Sequence, residues 1–200
     1  MSAKLISIIG PPAVGKTTLA ELLAAELPAR LVREDYVGNP FLADSYAGKA
    51  DALLPGQIYF LMSRVGQLRR AAWPAEGLVV SDYGFCQDRV FARQRLSAED
   101  FRLYERIASR VESLVWPPNL LIRLDASEPA LLERISLRGR PFERTMDAAF
   151  LAAMRKAYNK VEAGDGCRVM TLDTEAINLL EPSGRRLVAT KIKEVVAKLD

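Results

Sequence analysis

Apolar residues follow two alternating patterns along this chain. In short runs such as Leu78–Asp82 they are consecutive, which is typical of strands buried on both faces of a parallel sheet. In longer segments they recur every three or four positions, as Ile58, Leu61 and Val65 do within Pro55–Ala72, and this spacing predicts an amphipathic helix. The alternation of the two patterns predicts an α/β fold.

We expect a three-layer α/β/α arrangement with a five-stranded parallel sheet, built as one domain over residues 1–200. Proline closes several elements, and Pro55 fits the first turn of its helix, while Ser97 and Ser127 are expected to cap the helices that follow them. The predicted strands are Lys4–Ile9, Ala29–Arg33, Leu78–Asp82, Leu120–Leu124 and Arg168–Leu172. The predicted helices are Thr17–Leu27, Phe41–Tyr46, Pro55–Ala72, Asp88–Arg95, Ala98–Val115, Glu128–Leu137, Met146–Val161 and Arg185–Leu199.

The loop between the first strand and the first helix carries the clearest chemical motif. Its sequence GPPAVGKT fits G-x-x-x-x-G-K-[ST], and its flanking elements are those that a P-loop NTPase-type fold requires. Backbone N–H groups of such a loop form a concave anion site at the helix N-terminus, where Lys16 can reach the β- and γ-phosphates and Thr17 can hold Mg²⁺. A plain tight turn is the alternative. The predicted phosphate-binding residues are Gly10, Pro11, Pro12, Ala13, Val14, Gly15, Lys16, Thr17 and Thr18.

Three acids follow predicted strands and compete for roles at the ligand-binding edge of the sheet. Asp82 and Asp125 each end a strand, and we favour Asp82 as the second Mg²⁺ ligand because Asp125 leads directly into a capped helix. Glu34 follows the second strand beside the expected terminal phosphate. Because the chain has no histidine, a carboxylate such as Glu34 is a candidate general base, with a solvated loop acid as the alternative.

Three arginines near residue 140 form a second candidate group. Arg134 and Arg138 lie four residues apart on one helical face, and Arg140 follows across Gly139. Guanidinium groups suit the spread charge of a transferring phosphoryl group, so these side chains are expected to act in catalysis from an arginine-rich lid hinged at Gly139 and Pro141. A solvated basic face is the alternative.

Composition narrows the class of protein. A net charge of +3 is too mild to indicate a nucleic-acid partner, and the longest apolar runs are too short for a membrane span. The N-terminal residues have no secretory-signal pattern, and Cys86 and Cys167 lie far apart without metal-type spacing, so we expect reduced thiols and a cytoplasmic protein.

Several of these stretches together resemble the deoxyribonucleoside kinase family, and in particular its bacterial deoxyguanosine and deoxyadenosine kinases. Besides the phosphate loop, the similar segments are Glu34 with Asn39-Pro40-Phe41-Leu42, Tyr46, residues 57–64, residues 82–91, and the sequence LERISLRGRPFE at residues 132–143. The resemblance runs from residue 5 to about residue 160.

This resemblance implies transfer of the ATP γ-phosphate to the 5′-hydroxyl of a deoxynucleoside with Mg²⁺, and specific residue roles. It makes Glu34 the general base and Asp82 the acid of a Glu/Asp-Arg-Ser motif, with Lys16 and the lid arginines Arg134, Arg138 and Arg140 at the phosphates. It places Tyr46 and Glu143 at the sugar 3′-hydroxyl and Gln57, Arg64 and Asp88 at the base. The chain departs from the motif at Tyr83, where an arginine is expected.

The charged pair of Arg64 and Asp88 favours purine deoxynucleosides, with deoxycytidine as a second candidate. A thymidylate kinase-like or other small-molecule P-loop kinase is one alternative, and a catalytically weak ATP-binding regulatory protein is another, since Tyr83 removes an expected cation. The resemblance also implies a homodimer through the long helices Pro55–Ala72 and Ala98–Val115, whose apolar faces are equally compatible with burial in the core.

Overall fold

Five parallel strands form the sheet in the computed structural model, which describes residues 3–199 apart from the Arg70 side chain. The strands are β1 (Lys4–Ile9), β2 (Ala29–Val32), β3 (Leu78–Ser81), β4 (Leu120–Asp125) and β5 (Arg168–Asp173). Their spatial order is β2-β3-β1-β4-β5, and all four pairings are parallel. The predicted α/β class and five-stranded parallel sheet are therefore confirmed.

Helices cover both faces of this sheet. On β1, Ile6 and Ile8 pack in a cluster with side chains of α1, α6 and α8, whereas Leu5 and Ile9 point the other way, toward α3, α4 and α7. This alternation produces the three predicted layers. The helices are α1 (Lys16–Glu26), α2 (Leu42–Tyr46), α3 (Ala50–Leu68), α4 (Gln87–Arg95), α5 (Ala98–Val111), α6 (Glu128–Arg138), α7 (Ala148–Asn159) and α8 (Pro182–Val196).

Helix α3 differs from its predicted bounds at both ends. It begins at Ala50, so Pro55 lies inside the helix, and the expectation of a first-turn proline was wrong. Near a helix N-terminus this proline leaves only one carbonyl without its usual helical partner. The helix ends at Leu68 because Arg69 turns extended and forms an antiparallel bridge with Val115, a long-range pairing that also shortens α5.

Two predicted caps are present at the starts of α5 and α6. The Ser97 hydroxyl accepts a hydrogen bond from the Asp100 N–H at 3.1 Å, and that of Ser127 accepts one from Ala130 at 3.4 Å. Over residues 3–199, none of the helices combines the length and apolar character needed to cross a membrane. The loops after β1, β2 and β3 meet at the carboxyl edge of the sheet, where α/β proteins bind ligands.

Candidate active site

The loop between β1 and α1 has the backbone geometry of an anion cradle. Gly10, Ala13 and Gly15 have positive φ angles of 149°, 60° and 102°, which turn successive peptide groups toward one side. Gly15 precedes α1, and no side chain caps the first N–H groups of that helix. These amides are therefore available to an anion.

Lys16 bends back over this loop. Its ammonium donates hydrogen bonds to the carbonyl oxygens of Gly10 at 2.8 Å and Pro11 at 2.9 Å. Burial lowers the Lys16 pKa to about 8, although Glu34 and Asp82 oppose that shift with their negative charges. A bound phosphate chain would supply the missing counter-charge.

Asp82 joins the phosphate loop to the second strand. One carboxylate oxygen accepts a hydrogen bond from the Thr17 hydroxyl at 2.7 Å, and the other accepts one from the Glu34 N–H at 2.8 Å. Burial raises the Asp82 pKa. The adjacent oxygens of Thr17 and Asp82 are hard donors of the kind that Mg²⁺ uses beside phosphate oxygens, so this pair fits the predicted metal position.

Asp125, the other candidate for the metal, is engaged elsewhere. Its two carboxylate oxygens accept hydrogen bonds from the Arg155 guanidinium at 2.7 and 2.9 Å, a paired contact between β4 and α7. Arg155 also binds Glu128 at 2.8 Å. Asp125 therefore has a structural partner, whereas Asp82 faces the phosphate loop.

A cleft of about 730 Å³ opens above the phosphate loop. It brings together most of the residues singled out from the sequence. Those that line it are Pro12, Ala13, Val14, Gly15, Lys16, Thr17, Thr18, Glu34, Tyr46, Asp82, Arg134, Arg138, Arg140 and Glu143. Gly10 and Pro11 contribute from beneath, through the carbonyl oxygens that hold Lys16.

The three residues expected to contact the base are buried and form a hydrogen-bonded network. They are not among the described residues that line the cleft. The Gln57 amide donates to the carboxylate of Asp88 at 2.5 Å, and the Tyr104 hydroxyl donates to the other Asp88 oxygen at 3.0 Å. Arg64 donates to Asp88 and also to Glu34. The structure thus places Gln57, Arg64 and Asp88 together, with Asp88 accepting hydrogen bonds from both of the others, while the Arg64 Nε is buried without a partner among the described residues.

The lid arginines do not share one target. Arg138 and Arg140 both pair with Glu143, at 2.5 and 3.6 Å, while Arg134 donates two 2.8 Å hydrogen bonds to the side chain and backbone of Thr174. All three border the cleft. An arginine-rich lid that moves stays a prediction.

Aromatic side chains near Tyr46 complete the outer cleft. The Tyr46 and Phe142 rings lie 5.3 Å apart, and the Arg95 guanidinium lies 4.3 Å from the centre of the Tyr46 ring. Burial raises the pKa of Tyr46 to about 12, so its hydroxyl stays a proton donor. Tyr36 stacks against Arg140 at 4.3 Å.

Several cleft residues were missed from the sequence. Phe60 was detectable, because it lies three residues after Gln57 on the same face of α3. The loop after β5 lines the cleft from Thr174 to Leu180, and its place after a predicted strand was the available signal. Gln87 and Phe91 lie one turn apart on α4, and the family resemblance of residues 82–91 was the available signal for them.

Comparison with known proteins agrees with this geometry. The family model described as deoxynucleoside kinase matches residues 6–197. The chain belongs to the deoxynucleoside kinase family. The expected family membership is thereby confirmed, and with it the enzyme class of phosphotransferases that act on a hydroxyl group.

Relatives within the family cover nearly the whole chain. It is 29% identical to a deoxyguanosine kinase of Bacillus subtilis (strain 168), over 98% of this chain and 99% of that protein. It is 32% identical to a deoxyadenosine kinase of Dictyostelium discoideum, over 78% of this chain and 65% of that protein. It is 29% identical to a deoxyadenosine/deoxycytidine kinase of Bacillus subtilis (strain 168), over 88% and 85%.

A solved structure shares the fold of this family member. The deoxyadenosine kinase from M. mycoides with bound dATP superimposes with a TM-score of 0.80 at 20% sequence identity, covering 94% of this chain and 99% of that chain. The family match favours the nucleoside kinase interpretation over the two alternatives raised from the sequence.

Tyr83, the departure from the family motif, points into the protein interior. Its side chain is fully buried among Leu5, Val79 and Val115, and its hydroxyl donates a 2.6 Å hydrogen bond to the Gln67 side chain. Burial raises the Tyr83 pKa well above its usual range. Tyr83 therefore packs in the hydrophobic core of this kinase, and it is not among the described residues that line the cleft.

Proposed function

We propose that this protein transfers the γ-phosphoryl group of ATP to the 5′-hydroxyl of a purine deoxynucleoside. The observation that carries the proposal is the convergence in one cleft of a phosphate loop, the Thr17–Asp82 oxygen pair and the Glu34 carboxylate. The M. mycoides relative has been solved with bound dATP, which supports a triphosphate site in this fold.

Each cleft residue then has a role in an in-line transfer. Amides of the phosphate loop and the Lys16 ammonium bind the β- and γ-phosphates. Thr17 and Asp82 would hold Mg²⁺, which neutralises developing charge when bound. Glu34 accepts the proton of the 5′-hydroxyl while the new O5′–P bond forms and the bond between the γ-phosphorus and the bridging oxygen breaks, releasing ADP.

Arg138 and Arg140 are the arginines best situated to contact the oxygens of the phosphoryl group during its transfer. In the structure both contact Glu143, which the family resemblance assigns to the sugar 3′-hydroxyl together with Tyr46. A sugar hydroxyl that binds Glu143 would loosen these contacts and leave the guanidinium groups available to phosphate oxygens. Arg134 contributes by fixing the loop at Thr174.

The acceptor base is proposed to be a purine, with deoxycytidine as the second acceptor to test. The deoxyguanosine and deoxyadenosine kinases among the relatives support the first, and the deoxyadenosine/deoxycytidine kinase supports the second. Gln57 and Asp88 are the proposed base-reading groups. They are bonded to each other, so a base that takes the Gln57 amide protons exchanges one of these contacts.

A substrate panel tests the proposal. The protein is incubated with ATP and Mg²⁺ and with each of the four deoxynucleosides or their 5′-monophosphates. Formation of a purine deoxynucleoside monophosphate is the expected result. Turnover of monophosphates alone would indicate a nucleotide kinase, and ATP binding without turnover would indicate the regulatory alternative. Chelation of Mg²⁺ should abolish product formation.

We also propose a homodimer that acts in the cytoplasm. Exposed apolar side chains on and beside the two long helices support the dimer: Met62 on α3 is 48% exposed, Leu103 on α5 is 47% exposed and Leu114 is 54% exposed. The free thiols of Cys86 and Cys167 agree with a reducing compartment. Both the dimer and the location stay predictions.

A further inference from the structure

Arg64 connects two carboxylates that belong to different ends of the proposed acceptor site. Its side chain is 4% exposed, and its two terminal nitrogens donate separately, one to Glu34 and the other to Asp88. Glu34 faces the cleft, whereas Asp88 is fully buried beside Gln57. A single planar guanidinium thus spans the general-base candidate and the base-reading candidate.

Two aromatic rings hold this guanidinium in place. Its central carbon lies 5.2 Å from the centre of the Phe60 ring and 5.6 Å from that of Tyr83. Such contacts stabilise a cation that has lost its water. Arg64 is therefore restrained by rings on α3 and after β3 as well as by two carboxylates.

Tyr83 also reaches the backbone next to Glu34. Its hydroxyl donates to Gln67, and the Gln67 amide donates at 3.0 Å to the carbonyl oxygen of Arg33, the residue before Glu34. An arginine at position 83 would bring a second cation beside the buried Arg64. The tyrosine instead offers a neutral ring to Arg64. Its hydrogen bond to Gln67 also restrains the backbone of Arg33, the residue before Glu34.

We propose that Arg64 is a positioning residue that couples the nucleobase end of the site to Glu34, and that Tyr83 holds Arg64 in that position. The inference rests on the proposed function. Because one rigid fork joins the two carboxylates, a base that shifts Asp88 also shifts Glu34. The identity of the base therefore alters kcat as well as KM.

The first test measures kcat, rather than kcat/KM, for deoxyadenosine and thymidine in Arg64→Lys. A lysine ammonium lacks the two separate terminal nitrogens of a guanidinium, so it is expected to keep its contact with only one of the two carboxylates. We expect kcat with deoxyadenosine to fall between about tenfold and hundredfold, with the KM for ATP unchanged. The kcat ratio of the two substrates should move toward unity. This ratio does not depend on the fraction of folded protein, so partial unfolding alone leaves it unchanged.

The matched control is Arg93→Lys. Arg93 is an exposed arginine on α4 whose guanidinium lies 5.0 Å from the centre of the Phe101 ring, away from the cleft. The same substitution there should leave both kcat values within about twofold, as is usual for an exposed position. A change in KM alone for Arg64→Lys would mean that Arg64 only contacts the base, and would overturn the coupling.

Two changes at Tyr83 test the second half of the proposal. Tyr83→Leu removes the ring. It should lower kcat with deoxyadenosine and move the kcat ratio toward unity, as expected for Arg64→Lys. Tyr83→Phe keeps the ring and should recover most of the kcat ratio, even though the bond to Gln67 is gone. Equal kcat ratios in both variants would overturn the role of the ring. Melting curves are recorded for each, so the Phe variant remains informative if the Leu variant does not fold.

A double variant separates this inference from the proposed function. In a Glu34→Gln background, Arg64→Lys should lower kcat by less than about twofold, because Arg64 is proposed to affect kcat by positioning the Glu34 carboxylate. Full multiplicative losses would overturn the coupling. Absence of deoxynucleoside turnover in the unmodified protein would overturn the proposed function and this inference together. Normal turnover with an unchanged kcat ratio in Arg64→Lys overturns the inference alone.

Discussion

At the scale of single residues, the chemistry of this cleft depends on charge balance between a few side chains. The chain has no histidine, so a carboxylate is the proposed acceptor of the proton of the attacking hydroxyl. Glu34 is the carboxylate that faces the cleft beside Lys16 and Asp82. Its backbone is tied to Asp82 and its side chain to Arg64, so its position is well defined.

Glu34→Gln should lower kcat by about 10²-fold or more, because glutamine keeps the shape of the side chain but does not accept the proton. ATP binding should be retained, since the phosphate loop does not depend on the carboxylate. Steady-state kinetics and ATP titration measure the two quantities. An unchanged kcat would remove Glu34 from the proton-transfer step.

Lys16 should make ATP binding depend on pH. Because burial lowers its pKa to about 8 in the free protein, the ammonium is charged below pH 8 and loses its proton above it. Bound phosphates favour the charged form and raise this pKa again. ATP binding should therefore take up a proton near pH 8, and affinity should fall by up to about tenfold for each pH unit above it.

Calorimetry in two buffers with different ionisation enthalpies measures this proton uptake. The control is Lys16→Met, which removes the titrating group and should remove the uptake along with much of the affinity. Proton uptake of the same size in Lys16→Met would assign the effect to a different residue.

At the scale of elements, the phosphate loop depends on close packing against its neighbours. Gly10 has a φ of 149°, and a β-carbon there would lie 2.5 Å from the Leu124 carbonyl oxygen of β4. A side chain would therefore push the loop away from the sheet. The glycine is needed for the close approach of the two backbones as well as for its conformation.

Gly10→Ala should lower the free energy of unfolding by more than about 3 kcal/mol, because it adds a clash to backbone strain. Gly48→Ala is the matched control. Gly48 also has a positive φ, of 79°, but a β-carbon there would meet no heavy atom of the described residues within 4 Å, so the loss should be about 1 kcal/mol. Urea denaturation measures both values, and equal losses would contradict the packing argument.

The helix boundaries show where local patterns stop being sufficient. The start of α5 at Ala98 follows from the Ser97 cap, which is a local signal. Its end does not, because the pairing of Arg69 with Val115 draws two distant segments out of their helices. A contact across 46 residues leaves no trace in the periodicity of either segment.

At the scale of the whole molecule, α3 and α5 carry exposed apolar residues, Met62 and Leu103, that support the proposed dimer. Leu103→Glu on α5 should convert a dimer to a monomer, since an interface core disfavours an unpaired charge. Leu187→Glu is the control, because Leu187 is 60% exposed on α8 and lies on a different element. Light scattering after size-exclusion chromatography measures the mass. A monomeric unmodified protein would contradict the dimer.

The sheet itself was predictable to within one residue at each strand end. Apolar runs identified β1, β3 and β4, which are buried along most of their length. The strands β2 and β5 lie at the two edges of the sheet and include exposed residues, so their apolar runs are interrupted by polar positions. The single-domain organisation over residues 1–200 stays a prediction. The order of the strands required the tertiary structure, because strand pairing is decided by side chains that lie far apart in sequence.

The sequence by itself was enough to predict the phosphate loop, the acids that follow β2 and β3, and the three arginines near residue 140, because each lies in a short motif on a predictable element; their roles in catalysis stay predictions. Only the tertiary structure showed that Asp125 is paired with Arg155, that Gln57, Arg64 and Asp88 are bonded to one another, and that Tyr83 points inward. Those outcomes depend on which side chains from separate elements compete for the same buried charge. Such a competition is resolved in three dimensions, where burial makes an unpaired charge costly.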